Sequence, residues 1–199
     1  MNIEIYNLVS TAIRSAMYAG AEILDVYCSE SFDVEYKSDN SPLTIADKRA
    51  NVVIDSILSE TGIPILSEEG RNIDFEERQS WKTLWVVDPL DGTKEFISRN
   101  GEFSVNIALV QNNTPVAGVI YAPVPDKLWF GIVGVGAVMV EKASIMLEDF
   151  SIENSMNIGI KLPYYSLSDK MVVVATRSHM NNSTDTFLNT MKAEFPGME

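Results

Sequence analysis

The sequence is short of cysteine and of basic residues, and each shortage excludes a class of protein. A single cysteine, Cys28, rules out an internal disulfide and favours a reducing compartment, so the expected location is the cytoplasm. There are 15 lysine and arginine residues against 28 acidic residues, which gives a formal net charge of −13. Such a charge repels a nucleic-acid polymer and an anionic membrane surface. An anionic small molecule would bind only where a cation, such as a divalent metal, inverts the local charge.

Long apolar runs are also absent. The longest, residues 128–140, is well below the ~20 residues that a membrane-spanning helix needs, and three glycines interrupt it. The first residues show helical apolar spacing without a basic segment or a cleavage site, so no secretory signal is expected. With 46% hydrophobic residues, the chain can bury a substantial core as one large domain or as one domain plus a smaller unit.

Apolar spacing predicts two long helices before the main strands. Two segments repeat apolar side chains at the 3.6-residue period of one helix face: residues 3–29 and a segment that begins near Thr44. Gly62 and Pro64 end the second repeat. A short strand is expected next, and the polar stretch 71–80 is interpreted as a surface loop.

Strand-like runs then follow at short spacing, which predicts an antiparallel meander over residues 103–110, 115–121, 127–133 and 136–140. Beyond residue 145 we predict one strand at 171–175 and one helix at 183–193, too few to enclose a core alone. We therefore divide the chain into an N-terminal α+β metal-binding domain, 1–145, and the start of a C-terminal α/β subdomain, 146–199.

The most informative segment lies just before the meander. Trp85–Val87 is a β-prone run, Pro89 lacks a backbone donor and is expected to end the pairing, and Gly92 permits a turn. Asp88 and Asp91 should then point out of the strand end. A helix that opens just after the glycine would offer its first N–H groups to a phosphate.

Three carboxylates, those of Glu68, Asp88 and Asp91, lie at predicted strand ends or turns, and oxygen ligands of this kind suit Mg²⁺. If they converge, each close like-charge pair costs on the order of 4 kcal/mol at a spacing of ~4 Å. Convergence without cations is therefore disfavoured. The alternative is that Glu68 and Glu69 lie in a solvated turn and that the two aspartates cap the next helix.

Three other positions allow a catalytic and an ordinary interpretation. Thr44 and Asp47 fit a capping box at a helix start, which needs no catalytic role. Thr93 lies at a corner where its hydroxyl could relay a proton from a bound water to a carboxylate such as Asp47, provided that the two segments meet. His179 follows a predicted strand, where it could contact a ligand or be an ordinary surface histidine.

Residues 88–93, Asp-Pro-Leu-Asp-Gly-Thr, resemble the D-P-[IL]-D-G-T signature of the inositol monophosphatase-like metal-dependent phosphatases. Thr44–Asp47 and Ser67–Glu69 precede it in the family's order. The further segments 41–44, 94–96, 99–109 and 177–179 are similar to one branch of that family, the 3′(2′),5′-bisphosphate nucleotidases. The resemblance implies a layered αβα fold of the sugar-phosphatase type, with two N-terminal helices on a mainly antiparallel sheet and then a second α/β subdomain, incomplete here.

The resemblance also implies roles for individual residues. Glu68, Asp88 and the carbonyl of Leu90 would hold one Mg²⁺, and Asp88 and Asp91 would contribute to a second, with two or three ions in a complete site. Asp47 and Thr93, together with Glu68, would orient and deprotonate the attacking water. The residues implied to bind substrate are Gly92, Thr93, Lys94, Arg177, Ser178 and His179.

The implied reaction removes the 3′-phosphate of adenosine 3′,5′-bisphosphate, a by-product of sulfate activation. A phosphatase acting on inositol phosphates or sugar bisphosphates is the alternative, which residues 94–96 disfavour. Family members continue past residue 199 with a W-D-x-x-A-G segment whose aspartate completes the second metal site. A third hypothesis is therefore a homologue that binds metal without turnover, and its last subdomain is expected to expose apolar surface and to self-associate. A peripheral position at the inner face of a membrane is left open.

Overall fold

The computed structural model describes residues 3–30, 34–36, 42–146, 151–163, 172–175 and 180–197. Contacts between residues divide the chain into two units, Met1–Leu162 and Pro163–Glu199. The first unit contains the two predicted long helices, the sheet and residues Trp85–Gly92, named here the strand-end motif. The division into domains at residue 145 stays a prediction.

Two long helices form where the apolar period predicts them. Helix α1 is Ile3–Tyr27, and helix α2 is Ile45–Leu58. A 3-10 helical turn, Ser59–Thr61, extends α2, and Gly62 ends it in the left-handed region, with φ of 68°, where glycine is unstrained. A small antiparallel pair precedes α2, formed by β1 (Val34–Tyr36) and β2 (Pro42–Thr44).

A seven-stranded sheet makes up the rest of the first unit's framework. Its strands are β3 (Ile65–Ser67), β4 (Thr83–Asp91), β5 (Ser104–Gln111), β6 (Thr114–Ala122), β7 (Lys127–Ile132), β8 (Gly136–Glu141) and β9 (Ile160–Lys161). They are adjacent in chain order. Strands β3 and β4 pair in parallel, and the other neighbours pair antiparallel, so the predicted meander is confirmed.

Short helices connect these strands. They are α3 (Phe75–Arg78), α4 (Thr93–Ile97), a 3-10 turn (Ala143–Met146) and α5 (Ile152–Ile158). Helix α3 lies in the predicted surface loop. Helix α4 begins directly after the strand-end motif, as predicted.

The core lies between the two long helices and one face of the sheet. Burial alternates along β5 and β7, as expected for strands with one face covered. The largest fully buried side chains include Trp85, Ile107, Leu109, Leu128 and Phe130 from the sheet and Ile13, Ile23, Ile54 and Leu58 from the helices. The predicted packing of two helices on a mainly antiparallel sheet is therefore confirmed.

Strand β4 differs from the prediction in where it ends. It continues through Pro89 to Asp91. Pairing with β5 is regular as far as Asp88 and resumes at Asp91 after a register shift. Proline has no N–H for the ladder, and a bulge at this point accommodates the missing bond. Bulges re-aim side chains near active sites, and this one separates the two aspartates.

Helix α1 packs against β6 at Gly20. A Cβ at this position would lie 2.4 Å from Cε1 of Tyr121, whose ring is buried and whose hydroxyl donates to Oδ1 of Asp126 at 2.9 Å. We predict that Gly20→Ala lowers the free energy of unfolding by about 1–3 kcal/mol, because the buried ring must shift. Urea unfolding measures this loss.

The matched control for this packing contact is Gly118→Ala, in strand β6. No heavy atom lies within 4 Å of a Cβ at Gly118, so the control should lose no more than about 0.5 kcal/mol. Equal losses in the two variants would contradict the packing argument.

The second unit contains helix α6, Asn182–Glu194, which confirms the predicted helix. Asn181 caps it by accepting from the N–H of Thr184 at 2.9 Å. The predicted strand is wrong for the described residues 172–175, which form no strand. Val172 and Val174 are exposed by 63% and 93%, and β-branched residues do not form a strand unless neighbours pair with them. Met171 lies outside the described residues.

Within the described ranges, no helix combines the length and the hydropathy that crossing a membrane requires.

Candidate active site

The site lies where β3 and β4 end. The hydroxyl of Ser67, the last residue of β3, donates to Oδ1 of Asn51 on α2 at 2.6 Å. The N–H of Glu68 donates to the carbonyl of Val87 at 3.0 Å, which extends the parallel pairing by one residue. Because parallel strands end at the same edge of a sheet, Glu68 and Asp88 are delivered to one place.

The carboxyl group of Asp88 is strongly perturbed. Burial, and then the negative charges of Glu68 and Asp91, raise its pKa to about 7. The N–H of Leu90 donates to Oδ1 of Asp88 at 3.2 Å and opposes the rise in pKa. Asp88 therefore lies close enough to Glu68 and to Asp91 for their negative charges to repel its own. A divalent cation would relieve this repulsion.

Asp91 is held by a residue that the sequence did not indicate. Its Oδ2 accepts from Nδ2 of Asn106 on β5 at 2.9 Å. The hydroxyl of Ser104 donates to Oδ1 of the same amide at 3.1 Å. Asn106 is the cross-strand partner of Asp88. Only the register between β4 and β5 places this amide at the site, and no local sequence pattern specifies that register.

Asp47 reaches the site from the first turn of α2. The predicted capping box is present, since Oδ2 of Asp47 accepts from the N–H and the hydroxyl of Thr44 at 2.7 and 2.6 Å. The other oxygen, Oδ1, accepts from the hydroxyl of Thr93 at 3.2 Å. The two segments therefore meet, as a proton relay requires, and the same carboxylate also caps the helix.

The carboxyl group of Asp47 holds its proton more tightly than an aspartate in water does. The residue is 1% exposed. Burial raises its pKa, and the hydrogen bonds from Thr44 and Thr93 oppose that rise. A carboxylate with a raised pKa is a stronger proton acceptor than an ordinary aspartate.

Gly92 forms the corner between β4 and α4. Its φ of 96° lies in the left-handed region. A Cβ there would lie 2.9 Å from the carbonyl oxygen of Glu102 and 3.2 Å from Cβ of Phe103, so the close approach requires glycine. Thr93 and Lys94 follow directly in the first turn of α4.

The ring of Phe96 fixes α4 to the core. It is fully buried, and its centroid lies 5.3 Å from those of Tyr27 and Phe103. The guanidinium of Arg99 donates to the backbone carbonyls of Tyr27 and Ser29, just where α1 ends. The corner at Gly92 is therefore tied to both the sheet and the first helix.

Three of the residues predicted to bind substrate, Arg177, Ser178 and His179, lie outside the described residues, so their contacts stay predictions. In the part of the chain that the structure describes, no group of three His, Cys, Asp or Glu residues is arranged to hold a metal ion. The predicted ligand set includes a backbone carbonyl, that of Leu90, which lies 3.3 Å from Oγ of Thr93 and is the alternative acceptor for the single hydroxyl proton that Asp47 also accepts.

Sequence and structure comparisons agree on the family. Residues 5–197 match the inositol monophosphatase family. The chain belongs to this family. The fold of an inositol monophosphatase, expected from residues 88–93, is thereby confirmed.

Two bacterial relatives are especially informative. The 3′(2′),5′-bisphosphate nucleotidase CysQ of Buchnera aphidicola subsp. Acyrthosiphon pisum is 38% identical over 180 residues, covering 89% of this chain and 62% of that protein. The crystal structure of CysQ from Bacteroides thetaiotaomicron matches with a TM-score of 0.85 and 45% identity, covering 97% of this chain and 70% of that one. The chain thus spans about three fifths of the length of the Buchnera relative.

A more distant member of the inositol monophosphatase family was crystallised with ligands. This IMPase/NADP phosphatase, complexed with Mg²⁺ and phosphate, matches with a TM-score of 0.53 and 22% identity, over 61% of this chain and 46% of that one. At that identity the likeness shows the shared fold.

Proposed function

We propose that this chain is a Mg²⁺-dependent phosphatase that converts adenosine 3′,5′-bisphosphate to AMP and phosphate. The observation that carries the proposal is the hydrogen bond between Thr93 and Asp47, taken together with the perturbed carboxyl group of Asp88. The first pair offers a proton acceptor, and the repelling carboxylates offer a cation site. A phosphatase of this type needs both. The choice of the 3′-phosphate as the target is supported by the name of the Buchnera relative, a 3′(2′),5′-bisphosphate nucleotidase.

The oxygen ligands proposed at the strand ends are of the chemical type that Mg²⁺ prefers. They comprise the carboxylates of Glu68, Asp88 and Asp91 and the carbonyl of Leu90. Burial, and then the negative charges of Glu68 and Asp91, raise the pKa of Asp88. When bound, Mg²⁺ would supply Lewis acidity that acidifies the attacking water and neutralises charge on the phosphate. The number of ions, two or three, is part of the proposal.

The proton transfer is assigned to Thr93 and Asp47. The attacking water gives one proton to Oγ of Thr93 while the hydroxyl proton of Thr93 passes to Oδ1 of Asp47. The water oxygen bonds to phosphorus, and the bond from phosphorus to the 3′ oxygen breaks. The 3′ oxygen leaves with the bonding electron pair and takes a proton from solvent. Glu68 helps to orient the water.

Substrate binding is assigned to the corner that follows β4. The N–H groups of Gly92 and Thr93, together with Lys94, are proposed to hold the phosphate as it leaves. Residues 177–179 are proposed to contact the rest of the nucleotide. Self-association through the second unit is also proposed, and it is supported by the exposed side chains of Val174 and Phe187. A cytoplasmic location is proposed because the chain has one thiol.

A comparison of substrates tests the proposal. Phosphate release is measured from adenosine 3′,5′-bisphosphate, inositol 1-phosphate and fructose 1,6-bisphosphate, with Mg²⁺ and with excess EDTA. We expect kcat/KM for the nucleotide to exceed the other two by at least about 100-fold, because a site that hydrogen-bonds one substrate leaves polar groups unpaired with another. EDTA should abolish all release.

Each other result supports a different function. Preference for inositol 1-phosphate or fructose 1,6-bisphosphate would favour the alternative phosphatase. No release from any substrate by a folded sample that binds Mg²⁺ would contradict both enzyme proposals and favour a homologue that binds metal without turnover.

A further inference from the structure

We infer that Asn106 is a positioning residue that holds the carboxylate of Asp91 ready for a divalent cation, and that Ser104 acts through it. This inference rests on the proposed metal site. It adds two residues that neither the strand-end motif nor the capping box contains.

Two hydrogen bonds join Ser104 and Asn106 on β5 to Asp91 at the end of β4. The hydroxyl of Ser104 donates to Oδ1 of Asn106 at 3.1 Å, and Nδ2 of Asn106 donates to Oδ2 of Asp91 at 2.9 Å. Ser104 and Asn106 are two residues apart, so they lie on the same face of the strand. Their cross-strand partners are Asp91 and Asp88, on either side of the bulge in β4. The two hydrogen bonds therefore lie across the bulge near the end of β4.

The Asp91 carboxylate needs such support because of its position. It is an exposed side chain at the end of a strand, next to the bulge, and the charge of Asp88 repels it. Repulsion alone favours rotamers that turn Asp91 away from the site. A hydrogen bond from Asn106 offsets this tendency and limits rotation of the carboxylate. Groups that orient metal ligands in this way strengthen cation binding.

A neutral amide suits the task better than a charged donor. A lysine or an arginine at position 106 would hold Asp91 by a salt bridge but would cancel negative charge that the cation needs. The amide donates one hydrogen bond and leaves the net charge of the site unchanged. Asn106 also lines a cavity of about 490 Å³ whose other walls are largely apolar and include Ile120 and Trp129. Asp88 lines the same cavity, and the apolar walls offer the amide no competition for its hydrogen bond to Asp91.

Ser104 sets which end of the amide faces Asp91. An asparagine side chain can turn over and exchange its oxygen with its nitrogen. Because the hydroxyl of Ser104 donates to Oδ1, the NH₂ group of Asn106 is directed toward the carboxylate. Without that hydroxyl, part of the population would present Oδ1 to Asp91 and repel it. Ser104 thus acts on the cation site only through Asn106.

Calorimetric titration of the whole chain with Mg²⁺ at pH 8 tests the inference. We expect Asn106→Leu to weaken Mg²⁺ binding by about 10–100-fold, the usual range for removal of a group that orients a metal ligand. Ser104→Ala should weaken binding by about 3–10-fold, since the donor remains but is less well oriented. The double variant should bind no more weakly than Asn106→Leu, because the two residues act in series.

A matched control lies at the other end of the same strand. Gln111→Leu also replaces an amide by leucine on β5, away from the site, and should leave Mg²⁺ affinity unchanged. A purely structural contribution of Asn106 would appear as a change in urea unfolding without a change in Mg²⁺ affinity, and this result would overturn the inference. If Asn106→Leu does not fold, Ser104→Ala provides the same test with a smaller expected effect.

The outcomes separate this inference from the proposed function. If the wild-type chain binds Mg²⁺ and Asn106→Leu binds it equally well, the inference is wrong and the metal site stands. The double variant is also compared with Asn106→Leu. If it binds Mg²⁺ more weakly by the same factor by which Ser104→Ala lowers the affinity of the wild type, the two residues act independently, and the role of Ser104 through Asn106 is wrong. If the wild-type chain binds no Mg²⁺, the proposed function itself fails.

Discussion

Asp88→Asn is expected to abolish Mg²⁺-dependent phosphate release and, at the same time, to stabilise the metal-free fold above pH 7. The first effect follows because Asp88 is proposed to contribute to both cation sites, and an amide has half the oxygen ligands and no charge. The second follows because the amide removes the cost of burying a charged carboxylate and also the repulsion with Glu68 and Asp91. Loss of function with a gain of stability is the pattern expected of a functional carboxyl group held in an unfavourable place.

The pH dependence of this gain can be derived from the pKa of Asp88. Its pKa is about 7 in the metal-free fold against an ordinary value of 3.8. Between about pH 4 and pH 7 the folded state holds a proton that the unfolded state has released. The contribution of Asp88 to stability is therefore complete below about pH 4 and is lost as the pH rises through 7. The amide that replaces the carboxyl group does not titrate, so the variant's advantage should grow over this window.

Urea unfolding in EDTA at pH 5 and at pH 8 measures the difference. We expect Asp88→Asn to exceed wild type by about 1–2 kcal/mol at pH 8, after allowance for solvent screening of a half-buried group, and by less at pH 5. Asp74→Asn is the control, because Asp74 is an exposed carboxylate that makes no capping hydrogen bond. A variant that is active with Mg²⁺, or that is less stable than wild type at pH 8, would contradict the assignment.

Asp47→Asn is expected to reduce turnover by about 10²–10⁴-fold, the range for loss of a general base, with little loss of stability. The amide oxygen introduced by this substitution can still accept from the N–H of Thr44, so most of the capping box remains. The hydroxyl of Thr93 would then accept from the new amide, and no group would take its proton. Steady-state kinetics and thermal unfolding measure the two effects separately.

The cap and the proton relay can be separated by a second variant. Thr44→Ala removes the hydroxyl that accepts from the N–H of Ala46 and should cost about 1 kcal/mol of stability, as the loss of a helix cap does. Its effect on turnover should be far smaller than that of Asp47→Asn. Parallel losses of stability and turnover in both variants would show that Asp47 serves the cap and has no part in the chemistry.

Much of the fold was predictable because its signals are local. The helical period of α1 and the turn residues between the strands of the meander determine where elements begin and end. The strand predicted at 171–175 is wrong for the described residues 172–175, because β-prone residues such as Val174 form a strand only when neighbours pair with them, and local signals do not show the pairing. The extension of β4 beyond Pro89 was missed because a bulge depends on the partner strand.

The site residues likewise differ in whether local sequence signals indicate them. The carboxylates of Glu68, Asp88 and Asp91 follow from short motifs, and their roles remain proposals. The contact between Thr93 and Asp47 joins residues 46 positions apart, so it depends on how α2 packs beside the sheet. Asn106 was missed because its relevance comes from the register with β4 rather than from any motif.

The most direct test of the central claim is the release of phosphate from adenosine 3′,5′-bisphosphate as a function of Mg²⁺ concentration, with the nucleotide product identified by chromatography. We predict saturable release that begins with added Mg²⁺, yields AMP and phosphate in equal amounts, and is absent with EDTA and in Asp88→Asn. A folded wild-type chain that binds Mg²⁺ and releases no phosphate, or that releases it equally well in EDTA, would contradict the account.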